Sequence, residues 1–436
     1  MFGALYAALS LVRFHRFEPS SWDNAIFEQG IKGYAHFAAP IVDLKGPGFN
    51  QLGDHFSPII ALIAPFYRLF PSAQTVLIAQ AILLAISVAV IAHVAIKHLG
   101  TARGSAIAIA YGLSFGIQSA VAADFHEVAF AAPLLALAGA AYIGRDWRRV
   151  IWLTLPLMFV KEDMGLTVAA IGVVLCLSGQ RRRGAVLAVV GLVGMALVIF
   201  IVIPYFNPGG TWDYANTIGG DRGFLDVAFD QPGRKLLTVL ITFGVTGLLA
   251  LASPWALLTL PILVGRFVAD NEFYWGTEWH YSLVLMPIVF IALIDAMDRE
   301  HRPAWLRAYA PQGAAVALAF AAAMQLHSPL SVLVRPATYE ANPRAASARE
   351  AIALVPKGGS LETDIGLMTH LATGRTVYWL GTIGKAQPDY VLFDVEGGIG
   401  SPVDVVAYAE KTHGGNWKLG YDKGGYQLAR RVSPTP

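Results

Sequence analysis

The chain has 436 residues, of which 55% are hydrophobic and 14% charged, and its mean hydropathy is +0.53. Soluble domains carry about 25% charged residues, so an ordinary soluble protein is excluded and a polytopic α-helical membrane protein is expected. The net charge of +2 gives no sign of a nucleic-acid partner, and the single cysteine, Cys176, rules out an internal disulfide or a Cys-based metal site.

Apolar runs predict transmembrane helices at about 2–14, 74–96, 104–122, 128–144, 149–160, 164–179, 185–206, 235–251, 253–269, 280–297 and 309–327, roughly eleven in all. The first run, from Met1 to about Phe14, would rise only about 21 Å as a helix. No small-residue cleavage site follows it, so it reads as a transmembrane helix that begins at the first residue, or as a mis-set start codon. The stretch 56–70 contains Pro58 and Pro65 and reads as interfacial or re-entrant.

Basic residues mark alternate connectors: Lys97 and Arg103; Arg145, Arg148 and Arg149; Arg181, Arg182 and Arg183; Arg299, Arg302 and Arg307. With the spans above, these all fall on one face, which the positive-inside rule makes cytoplasmic. The N-terminus is then inside, and residues 15–73, 123–127, 161–165, 207–234, 270–280 and everything after 328 lie outside. Residues 1–328 form a transmembrane domain whose first outer loop, 15–73, carries interfacial helices. Residues 335–436 change character, with expected strands at 360–364, 376–380 and 388–395, helices at 365–372 and 402–412, and closing strands in NWKLGYD and YQLARRV. Such alternation predicts a small extracytoplasmic α/β domain.

Four polar clusters fall on the outer face, the first of them in two parts of the first outer loop. In SSWDNAIFEQGIKGYAHF, Ser20 or Ser21 is the expected N-cap of an interfacial helix that places Asp23 in its first turn, with Trp22 and Glu28 beside it. LGDHFSP sets Asp54 and His55 in a rigid turn where the loop returns to the membrane. Asp124, His126 and Glu127 form the tip of a tight hairpin, a group able to share a divalent ion (Mg, Mn or Ca) or to tune one another's pKa. Lys161, Glu162 and Asp163 interrupt the apolar pattern between two short segments, where charge is costly and usually functional. Glu278, His280 and Tyr281 follow among Phe273, Tyr274, Trp275 and Trp279, the mixture of carboxylates and aromatic faces that suits a sugar ring. Solvated hairpin tips and an interfacial aromatic belt explain each cluster singly, but several on one face can line a single acidic cleft.

WDNAIFEQ, GDHFSPIIALIAPFYRLFP, DFHEVAF, KEDMGL, WHYS and VPKGGSLETDIGLMTHLATGRTVYWL resemble the DUF2079 family of predicted bacterial membrane proteins. That family is similar to the GT-C integral membrane glycosyltransferases, which take sugars from polyprenyl-phosphate donors at the outer face and keep an essential Asp or Glu in the first outer loop. The resemblance implies a GT-C-like fold in the bacterial plasma membrane and transfer of a sugar to an envelope glycan or lipid acceptor. It points to Asp23, then Asp54, as general base, although no Asp-x-Asp or Asp-Asp pair stands in that loop. His55, Asp124, His126 and Glu127 would orient the acceptor or hold a metal, Lys161 would contact phosphate with Glu162 and Asp163 as partners, and Glu278, His280 and Tyr281 would line the donor side. The outer domain would bind the acceptor glycan. A non-catalytic transporter or binder of a lipid-linked substrate is the alternative, and predicts ionisable groups at mid-membrane depth.

Overall fold

The computed structural model describes residues 1–18, 22–298 and 308–432. The expected N-cap at Ser20 or Ser21 and the basic connector Arg299, Arg302 and Arg307 lie outside these. Each expected span contains helix, and among the described residues four helices have both the length and the apolarity to cross a membrane: Ala73–Leu99, Thr101–Ala122, Arg181–Phe206 and His280–Asp298. The others are shorter or interrupted. The run 149–160 is a helix, Trp147–Thr154, continued by a 3₁₀ turn at Leu155–Phe159 that contains Pro156. The run 235–251 breaks after the helix Pro232–Gly244, where Gly247 and Leu248 take positive φ.

Contacts divide the chain into two compact units. The first comprises Met1–Tyr6, Leu52–Ile59 and Gln80–Val332. Its centre is the helix Leu285–Asp298, buried on every side from Leu285 to Met297, as expected for an apolar helix without a polar face. The helix Arg181–Leu197 differs, since Val186, Val189, Val193 and Leu197 remain exposed in the way a lipid-facing surface requires.

The helices Met164–Leu177 and Arg181–Leu197 form a hairpin whose backbones touch. A Cβ on Gly165 would lie 2.5 Å from the Gly191 carbonyl, and one on Gly184 would lie 2.3 Å from that of Gly172. Small residues at such spacing let helices approach where lipid offers no hydrophobic drive for association. The contact fixes the first turn of Met164–Leu177, immediately after the Lys161–Asp163 cluster.

The second unit comprises Ala7–Gln51, Ile60–Ala79 and Leu333–Pro436. It holds a five-stranded sheet of β1 (Ser360–Thr363), β2 (Thr376–Trp379), β3 (Tyr390–Asp394), β4 (Asn416–Lys423) and β5 (Tyr426–Val432), ordered β2-β1-β3-β5-β4. The first three strands are mutually parallel, and β5 runs antiparallel to β3 and β4. All five stand where the sequence predicts them. Both faces are covered, because alternate residues of β3 point opposite ways: Leu392 joins one core with Leu367 and Met368, while Val391 and Phe393 join another with Val405 and Ala409.

The helix Asp23–Ala35, read from the sequence as interfacial, also belongs to this unit and gives Ala25 and Ile26 to the first of those cores. Gln29 Nε2 donates to the Val377 carbonyl at 3.0 Å, and Trp22 meets Trp379 edge-on at 4.3 Å. Glu28 is fully buried, and its Oε1 accepts from Tyr67 Oη at 2.8 Å and from the Thr373 hydroxyl. Burial outweighs those bonds and pushes its pKa up to about 7.

Candidate functional site

Within the first unit, a cavity of about 290 Å³ opens between the ends of several helices. One part of its wall is polar, with His55, Lys161, Glu162, Asp163, Arg266 and His280. Much of the remainder is apolar, including Met164, Met195, Ile199 and Ile262 from apolar helices.

Gly53 explains how His55 arrives there. A Cβ at this position would stand 2.6 Å from the Phe206 carbonyl and the Asn207 amide, so only glycine lets segment 52–59 lie against the end of the helix Ile203–Phe206. Asn207 Nδ2 ties the two by donating to the Gly53 carbonyl at 2.9 Å. His55 then stacks on Tyr214 at 4.6 Å and donates through Nδ1 to Glu162 Oε1 at 2.8 Å, while the Phe56 amide donates to Glu162 Oε2 at 3.2 Å. Asp54 is buried behind the ring, with Oδ2 3.9 Å from His55 Nε2.

Lys161 pairs with Glu127 Oε1 at 3.0 Å. Burial works against its charge, but the carboxylates of Glu127, Glu162 and Asp163 outweigh burial and hold its pKa well above the usual value. Glu162 is held down at about 2: burial opposes its ionisation, and the attraction and hydrogen bond of His55 overcome that. Asp163 behaves oppositely. It is exposed and lines the cavity, and desolvation, with Glu162 and Glu127 close by, raises its pKa to about 6 against the pull of Lys161. Adjacent carboxylates whose environments push them apart are the usual basis for distinct proton-transfer roles.

The hairpin tip Asp124–Glu127 stands behind this front row. Asp124 adopts φ +66°, and its carbonyl accepts from His126 Nδ1 at 3.2 Å and from Gln80 Nε2 at 2.9 Å. Gln80 Oε1 in turn receives the His126 amide at 3.0 Å. The His126 ring lies on that of His280 at 3.5 Å. Glu127 is engaged by the Lys161 ammonium, so Asp124, His126 and Glu127 do not point their ligating atoms at one place. Among the described residues no three His, Cys, Asp or Glu side chains gather to hold a metal ion.

Tyr281 also lines the cavity, whereas Glu278 turns outward, 59% exposed and 3.4 Å from Arg234 Nη2. Asp23 belongs to the second unit, half-buried in the first turn of its helix. The sequence alone misses Arg266 and Gln80. Arg266 is 7% exposed and donates to the carbonyls of Tyr274 (2.7 Å) and Gly276 (2.5 Å) and to Ser282 Oγ (3.2 Å), stapling the 274–282 loop without a carboxylate partner among these bonds. Each is a polar residue inside an apolar run, and that is the signal that could have exposed them.

The model of the predicted membrane proteins designated DUF2079 matches residues 13–426. The chain belongs to the DUF2079 family. A comparison with curated proteins returned no match. Among solved structures, this DUF2079 chain is similar to the crystal structure of ArnT from Cupriavidus metallidurans bound to undecaprenyl phosphate, with a TM-score of 0.58 and 12% identity over 99% of this chain and 98% of that one. The apo state of ArnT from Cupriavidus metallidurans gives a TM-score of 0.56 at 12% identity, covering 99% of each chain. At such identity the likeness is one of fold, and it places this DUF2079 member among membrane proteins of ArnT-like architecture.

Proposed function

We propose that this protein is a GT-C-type glycosyltransferase that moves a sugar from a polyprenyl-phosphate donor to an envelope glycan or lipid acceptor at the outer face of the bacterial plasma membrane. The carrying observation is the cavity itself, whose lining brings cationic Lys161 and Arg266 together with apolar side chains of the long helices. That combination matches a ligand with an anionic head and an isoprenoid tail. The ArnT crystal structure with undecaprenyl phosphate supports the same ligand class by analogy of fold. In this scheme the N-terminus is cytoplasmic, and the shorter helices complete the crossings begun by the four long ones.

Asp163 is the proposed general base. The acceptor hydroxyl gives its proton to the Asp163 carboxylate as its oxygen bonds to the anomeric carbon. The bond from that carbon to the phosphate oxygen breaks, and its electron pair leaves on the phosphate, where Lys161 and Arg266 offset the charge. Glu162 and Glu127 hold Lys161 in place, and Asp54 orients His55. Asp163 takes the role that resemblance alone assigns to Asp23, because it faces the cavity and titrates near neutrality.

The test is a deletion strain whose envelope glycans are profiled. Loss of one sugar, restored by the wild-type gene and not by Asp163→Asn at equal membrane expression, supports transfer. Full restoration by Asp163→Asn would favour the alternative, a non-catalytic carrier of a lipid-linked substrate that uses the same cavity.

A further inference from the structure

Beside the cavity lies a more polar pocket of about 480 Å³, in which Thr217, Arg222, Gln231, Asp270, Asn271 and Glu272 meet. A single layer of backbone separates the two. Thr217 lines both, Ile218 pairs with Ala269 in an antiparallel bridge, and the Asp270 amide donates to the Thr217 carbonyl at 2.6 Å. The layer is held close by Gly220, where a Cβ would come within 2.2 Å of Asp270 Oδ2.

The chemistry of the second pocket differs from that of the first. Arg222 is committed to Asp230 (2.7 Å) and Asp270 (2.5 Å), and Glu272, 3.7 Å from Arg234 Nη1, adds a third carboxylate. Three carboxylates thus face two guanidinium groups that are already paired, and the pocket disfavours phosphate. The Gln231 side chain supplies a donor and an acceptor, the Asn271 amide nitrogen adds donors and the Thr217 oxygen an acceptor. The Thr217 hydroxyl itself donates to the Tyr214 carbonyl at 2.7 Å, and Asn271 Oδ1 accepts from the Phe273 amide at 3.1 Å. Gln231 itself sits at φ 43°, ψ 52°, a left-handed conformation that a non-glycine residue keeps only where the surroundings impose it.

We propose that this pocket is a second ligand site, which takes the hydroxyl-rich ring of a neutral or amine-bearing sugar. It rests on the assignment of the neighbouring cavity to lipid phosphate. The sugar comes either from the donor, reaching around the Thr217 wall, or from the acceptor.

The experiment uses the full chain in lipid nanodiscs, with saturation-transfer NMR of methyl glucoside, glucosamine and glucuronic acid, and undecaprenyl-phosphate binding measured in parallel. Methyl glucoside and glucosamine should bind, with glucuronic acid at least about tenfold weaker. Gln231→Ala and the exposed Glu272→Gln should each weaken the two sugars by about fivefold or more, with lipid-phosphate binding unchanged. Displacement by a polyprenyl-phosphate-linked sugar identifies the donor's ring. Displacement by an envelope oligosaccharide, with undecaprenyl phosphate already saturating, identifies the acceptor's. No sugar binding beside normal lipid-phosphate binding, equal binding of glucuronic acid, or unaltered binding in both variants would overturn the proposal. Failure of the wild type to bind undecaprenyl phosphate would instead overturn the cavity assignment and the adjacency built on it.

Discussion

The Lys161 ammonium lies 3.0 Å from Oε1 of Glu127, so two clusters that are separate in the sequence meet at the wall of one cavity. Breaking a buried ion pair from one side leaves a naked charge and costs about 3–5 kcal/mol. Lys161→Met should therefore lower the Tm in detergent and abolish undecaprenyl-phosphate binding. Adding Glu127→Gln should recover most of the Tm and none of the binding. If the double variant regains binding, Lys161 does not hold the phosphate.

Asp163 sets the expected pH dependence of transfer. With a pKa near 6, it is an effective base above that value, and the rate should fall about tenfold for each pH unit below it. Initial rates from pH 4.5 to 8 should show this limb in the wild type. Asp163→Glu should retain a shifted limb and Asp163→Asn should retain only a trace of activity.

Gly265 offers a way to fill the cavity without disturbing the fold. It lines the cavity, and no atom lies within 4 Å of the Cβ it lacks. Gly265→Leu should leave the Tm within about 2 °C of the wild type, because no packing is displaced. Undecaprenyl-phosphate binding should drop by at least about tenfold. Unchanged binding in a well-folded variant would mean that the lipid lies elsewhere.

Glu28 couples the stability of the second unit to pH. Its pKa rises from 4.5 in an open chain to about 7 when folded, so folding favours its protonated form. That contribution is complete below pH 4.5 and is lost as pH rises through 7, a change on the order of 3 kcal/mol. Glu28→Gln keeps an acceptor for Tyr67 and Thr373 and carries no charge. Thermal unfolding should show the variant more stable than wild type at pH 8, with the difference shrinking as pH falls and vanishing only below about pH 4. A constant difference across that range would exclude Glu28 as its source.

The sheet was legible in the sequence because runs such as YVLFD combine β-branched and aromatic residues between turn-forming glycines and prolines. The clusters at 124–127 and 161–163 were legible because charge is rare between apolar runs. What local pattern does not encode is direction. Glu278 and His280 are two residues apart, yet one faces solvent beside Arg234 and the other faces the cavity on His126. Nor could the first outer loop reveal that Ala25 and Ile26 belong to the core of a sheet more than three hundred residues later, since that contact depends on tertiary packing. Arg266 was hidden by its neighbours, a single cation whose partners are backbone carbonyls and the Ser282 hydroxyl.

The most direct measurement is a cryo-electron microscopy map of the protein in nanodiscs with undecaprenyl phosphate. The account predicts phosphate density in contact with Lys161 and Arg266, and tail density running past Met195, Ile199 and Gly265. Phosphate density at any other place, with the cavity filled only by water, would contradict it.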